Sequence, residues 1–184
     1  MLRVRKSLPI RGTDSDGLRI AELLKIVEKY AEKGFIPEEE LNEDLMLSLD
    51  YYKLAIPLKA EKDSLSWISR QFGGKMEIPY IVRFFFKFKD WKKAIEEYFR
   101  TIGEKNANEF VEIFEEISKK AKNFVICAED IVEIALKRNR DPGVLISELK
   151  GSGLISPTVG CGGFGKAKAP LYELNRFFAM LINQ

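Results

Sequence analysis

The sequence predicts a mostly helical α+β protein, with a helical N-terminal domain over residues 1–104 and a second domain over residues 105–184. Three observations lead there. Apolar residues recur at steps of three and four along most of the chain, the period of an amphipathic helix. Glycines close several of these runs, at Gly34, at Gly73-Gly74, at Gly103 and at Gly151 or Gly153. Short β-branched and aromatic runs interrupt the helical pattern, chiefly Glu77–Phe88, Phe124–Cys127 and Leu154-Ile155.

In chain order, residues 1–16 are basic and then polar, with Arg3, Arg5, Lys6 and Arg11 ahead of Asp14, Ser15 and Asp16, any of which suits a helix cap. From Leu18 a helix runs through Ala21, Leu24, Ile26, Val27 and Tyr30 to the stop at Gly34. Pro37 and three glutamates restart it, and Leu41, Leu45, Leu49 and Tyr52 continue its face until Pro57. A further helix is expected over Lys59–Phe72 and a strand over Glu77–Phe88. Asp90 caps the next helix, which ends at Gly103. The polar stretch Gly103-Glu104-Lys105-Asn106-Ala107 is the domain boundary, and Asn108 to Ala121 is helical again. No internal repeat is visible.

Composition narrows the chemistry. With Lys+Arg 30 against Asp+Glu 28, the net charge of +2 does not announce a polyanion binder, so any basic footprint is local. Histidine is absent, which removes the commonest general base and the commonest metal ligand. Lys and Glu abundance with few glutamines fits a thermophile. Cys127 and Cys161 form no CxxC, so a structural zinc site is not expected. Two readings of them stay open, a buried thiol with a loop cysteine or a disulfide between strand and loop. The pairs Glu39/Glu43 and Glu112/Glu116 read as solvated helix faces. No catalytic residue, no metal and no cofactor is expected. No apolar run approaches the ~20 residues that span a bilayer, and Met1–Ser7 has no apolar stretch behind its charge. The expected compartment is the cytoplasm, without membrane contact.

The last third carries the one suggestion of a task. Phe124–Cys127 reads as a short strand and Ala128–Asn139 as a helix, with Ile131, Val132, Ile134, Ala135 and Leu136 as its apolar stripe. Asp141 caps a further helix with Pro142 in its first turn and Val144, Leu145 and Leu149 inward. Leu154-Ile155 begins a strand, Thr158–Lys168 is a Gly/Lys loop, and Leu171-Tyr172 returns. Gly160–Lys166 lacks the spacing of a phosphate-binding loop. The steps Leu145…Leu149…Gly153-Leu154-Ile155 and Leu171-Tyr172-Glu173-Leu174 resemble the winged helix-turn-helix family over residues 108–176.

That resemblance implies a C-terminal winged helix whose third helix meets a duplex. It implies a non-catalytic DNA-binding protein, a transcriptional regulator or nucleoid-type factor. Lys137, Arg138, Arg140, Lys166 and Lys168 would grip phosphates, while Ser147 and Lys150 would face the groove. The third helix departs from a strong reader, because no arginine or asparagine offers bidentate contacts to bases. The alternative is a protein-interaction subunit of a replication, transcription or RNA-processing assembly. The N-terminal half admits a second, divergent winged helix with Lys59–Phe72 as its second helix. Phe177, Phe178, Leu181 and Ile182 in the tail suit either packing or a homodimer through the C-terminal helix. The stretch Arg83–Lys93 interleaves aromatics with cations, a composition able to stack bases but commoner in cores.

Overall fold

The computed structural model describes residues 20–57, 74–158 and 170–182. It is a mostly helical α+β protein with two small antiparallel sheets. Helix α1 (Ile20–Tyr30) buries Leu23, Leu24, Val27 and Tyr30. Gly34, at φ +79°, turns the chain into β1 (Phe35–Ile36), followed by a 3₁₀ turn over Glu38–Glu40. Helix α2 (Glu43–Tyr52) starts where the Asn42 side chain accepts a hydrogen bond from Leu45 N (2.9 Å). Then come β2 (Ile56–Pro57), β3 (Met76–Glu77), α3 (Tyr80–Phe88) and α4 (Trp91–Thr101), the last capped by Asp90. The second half runs α5 (Glu109–Lys120), β4 (Val125–Cys127), α6 (Ala128–Lys137), α7 (Pro142–Ser152), β5 (Ile155–Thr158), β6 (Leu171–Leu174) and α8 (Arg176–Ile182).

The two sheets share a strand order. In each, the strand latest in sequence sits in the middle, giving β1-β3-β2 and β4-β6-β5, all antiparallel. The likeness extends to the caps. At the end of α2, Lys53 adopts a left-handed conformation, and Leu54 N donates to Leu49 O (3.0 Å). At the end of α7, Gly153 does the same, and Leu154 N donates to Leu149 O (3.1 Å). All four leucines are fully buried. Each central strand also ends alike, with Ile78 N donating to Gly34 O and Leu174 N to Phe124 O, both at 2.8 Å.

The halves pack reciprocally, α3 of the first on α7 of the second and α8 of the second on α2 of the first. Pro79, ahead of α3, lies against Gly153. Asn175, ahead of α8, donates from Nδ2 to Lys53 O (3.0 Å) and to Gly153 O (3.1 Å). The Phe85 ring meets Phe177 edge to face at 5.0 Å. Phe99 of α4 stacks on Phe110 of α5 at 3.6 Å, so one apolar core passes across the stretch 103–107.

Several expectations need correction. Most of the strand expected over Glu77–Phe88 is helix α3. Ile81, Val82 and Phe85 fall on one helical face and are buried, and that packing outweighs the β propensity of the residue types. The helix expected from Pro37 to Tyr52 is split, since Asn42 caps a fresh start. Val144 and Leu136, expected inward, are 54% and 62% exposed. Phe177 and Phe178 close the chain's own core, while Leu181 and Ile182 lie half-buried against it. The basic arm over 1–16, the helix over Lys59–Phe72, the loop from Val159 to Lys168 and Cys161 lie outside the described residues. Cys127 is a free thiol. No helix among the described residues is long and apolar enough to cross a membrane.

Candidate functional site

The candidate surface is built around the turn between α6 and α7. Arg140 N donates to Ala135 O (3.0 Å), which closes α6, and Asn139 takes a left-handed φ of 52°. Asp141 then accepts from Val144 N (2.8 Å), with Pro142 in the first turn of α7. This local chemistry sets Lys137, Arg138 and Arg140 side by side, as the sequence implies.

Their charges, however, meet carboxylates of the same chain. Arg138 Nη1 lies 2.7 Å from Glu116, and Arg138 Nε 3.9 Å from Glu109. Arg140 bonds Glu104 (2.7 Å) and Glu109 (3.0 Å), lies 3.6 Å from Glu148, and stacks its guanidinium 4.3 Å from the Phe110 ring centre. The two arginine side chains are only 19% and 16% exposed. Neither offers a free guanidinium for a phosphate. Lys137 is more exposed but pairs with Glu133 at 2.8 Å. Ser147 and Lys150 are exposed on α7, whereas Ser152 is fully buried and caps its helix end. Lys166 and Lys168 lie outside the described residues.

The sequence reading missed the partners Glu104 and Glu109 and took Glu116 for solvated surface. The available signal was the spacing of Glu109 and Glu116 on α5, a helix packed against α6. The Arg140 hydrogen bond holds Glu104 below the ordinary carboxylate range. Burial, with Glu104 nearby, pushes Glu148 up to about 7. The native state therefore holds a proton on Glu148 that the unfolded chain releases above pH 4.5. The stability this contributes is complete below that value and is lost as pH rises through 7. Glu148→Gln carries no such proton. Relative to wild type, it is expected to be more stable at pH 8 than at pH 5 by about 1 kcal/mol, after allowance for solvent screening. Thermal melts at both pH values measure this, and an equal difference at the two would contradict it.

The other exposed helix faces differ in chemistry. On α2 they are Glu43, Asp44, Leu47 and Tyr51, with Arg176 stacked on the Tyr51 ring at 4.2 Å. On α7 they are Gly143, Val144, Ser147, Lys150 and Gly151. Among the described residues no cluster of His, Cys, Asp or Glu has the arrangement to hold a metal ion. No curated protein and no solved structure matches the chain. A family model matches residues 10–184, nearly the whole length, and the chain belongs to that family, whose function is unknown.

Proposed function

We propose that this protein is a non-catalytic binding protein built from two winged helices, whose third helices, α2 and α7, dock protein partners within a larger assembly. The winged-helix reading is supported by the order helix, strand, helical segment, helix, strand, returning strand in both halves, and by the shared strand order β1-β3-β2 and β4-β6-β5. One observation carries the choice of partner. The turn arginines that would grip phosphates are enclosed by Glu104, Glu109 and Glu116, and α2 presents Glu43 and Asp44 beside exposed Leu47 and Tyr51. A duplex would meet repulsion at α2 and few cations at α7. Exposed aromatic and aliphatic side chains among polar ones suit a protein interface. Duplex DNA is the second reading, favoured by Lys137 and Lys150, which are exposed on α6 and α7.

The two readings separate by experiment. A photo-crosslinking side chain at Leu47 or Val144 is expected to give discrete protein adducts in cells, and one at exposed Lys25 none. Absence of adducts at both docking positions counts against partner binding. Anisotropy of a labelled duplex over a salt series is expected to show no binding through α7. Steeply salt-dependent binding that is lost in the double variant Lys137→Glu, Lys150→Glu would restore the duplex reading.

A further inference from the structure

The α3–α4 corner carries surface that neither the core nor the docking faces use. Tyr80, Phe84 and Phe88 recur every four residues along α3, which places them on one side of the helix. Tyr80 is 49% exposed, and Phe84 and Phe88 are half-buried. Phe84 lies 6.1 Å from Phe88 and 5.7 Å from Tyr98, and Tyr98 lies 6.1 Å from Tyr80, so the rings form one continuous strip. Core packing accounts for Ile81, Val82 and Phe85 on the inner side of α3. It does not account for an aromatic edge that reaches solvent.

Cations lie along the same strip. Arg83 sits 5.0 Å from the Tyr80 ring centre, Lys87 5.9 Å from Phe84 and 5.3 Å from Phe88, and Lys93 5.2 Å from Phe88. Their neighbours are neutralised, Lys89 by Glu28 and Lys92 by Glu115. Lys87 and Lys93 are exposed, and among the described residues neither has a carboxylate within ion-pair distance. Asp90, the one acid between residues 83 and 93, accepts the backbone N–H of Lys93 as the cap of α4. The corner thus combines an excess of cations over its one carboxylate, Asp90, with partly exposed aromatic rings, the reverse of the α6–α7 turn.

A single nucleic-acid strand presents both complements, phosphates for the cations and unstacked bases for the rings. A duplex keeps its bases stacked on each other and offers the rings nothing. An acidic polypeptide satisfies the charge alone. We propose that Tyr80, Phe84 and Phe88, together with Arg83, Lys87 and Lys93, form a face that binds single-stranded nucleic acid without sequence preference.

The test uses the full chain and a fluorescein-labelled oligo(dT), read by anisotropy over a salt series. Wild type is expected to bind at low salt, to weaken steeply as salt rises, and to prefer the single strand to the matching duplex. The double variant Lys87→Glu, Lys93→Glu is expected to weaken binding at least tenfold. Tyr80→Ala, at an exposed position, is expected to weaken it about fivefold or more with little change in salt slope, because stacking rather than charge is removed. Unchanged melting temperatures in both variants establish that the fold is intact. The variant Lys25→Glu, at an exposed position on α1, is expected to bind as wild type does. The proposal is overturned by absence of binding at low salt, by equal affinity for the duplex, or by indifference to the charge reversal at 87 and 93. Competition by polyglutamate as effective as by unlabelled oligo(dT) would overturn it in favour of an acidic protein ligand.

Discussion

Phe110→Ala is expected to destabilise the whole chain by about 4 kcal/mol. The ring is fully buried, stacks on Phe99 at 3.6 Å and has the Arg140 guanidinium 4.3 Å from its centre. Truncation therefore opens a cavity between α4 and α5 and also removes the platform beneath Arg140. Because the core passes across residues 103–107, both halves should respond together. Denaturant titration in a Trp67→Phe background, read by Trp91 fluorescence in α4 and by far-ultraviolet circular dichroism, should give one coincident transition at a lower midpoint. Two separate transitions, with Trp91 unaffected, would show that the halves fold independently.

Gly153→Ala is expected to cost about 3 kcal/mol, the sum of two effects. A non-glycine residue at φ +85° loses about 1–2 kcal/mol to the left-handed backbone. The added Cβ would also sit 2.6 Å from Pro79 Cβ, and relief of such an overlap costs about 1–3 kcal/mol. Gly103→Ala is the control, since Gly103 has φ +98° with open space around it and should show the backbone effect alone. Denaturant midpoints of the two variants measure the difference. Equal losses would mean that Pro79 and Gly153 do not press together as described.

What could be read from the sequence was what is written in neighbouring residues. Asp141-Pro142 marks the start of α7 as expected, and of the two glycines offered for its stop, Gly151 and Gly153, the helix ends at Gly153. Asp90 marks α4 in the same way. Helix α3 was misread because Ile78 to Phe86 has strand composition, and the packing of α3 against α4 and α7 is invisible locally. The fate of Arg138 and Arg140 was hidden for the same reason. The carboxylates they hydrogen-bond lie 22 to 36 positions earlier in the chain, and only the fold brings them together. The likeness of the two halves is faint in the sequence, which admits a divergent winged helix in the N-terminal half only with Lys59–Phe72 as its second helix, because the shared positions hold different residues, Asn42 against Asp141 and Lys53 against Gly153. The likeness resides in hydrogen bonds and strand order, not in side-chain identity.

The reciprocal packing of α3 on α7 and α8 on α2 is the pattern by which two identical subunits meet across a twofold axis. Here one polypeptide supplies both sides. A true homodimer must alter both copies of a surface at once, whereas a tethered pair can alter one. The acidic, apolar face of α2 and the sparser, weakly basic face of α7 are what such freedom permits. Each molecule then has a direction, with one distinct face of each kind, and a partner recognising either would bind one per chain and in a single orientation.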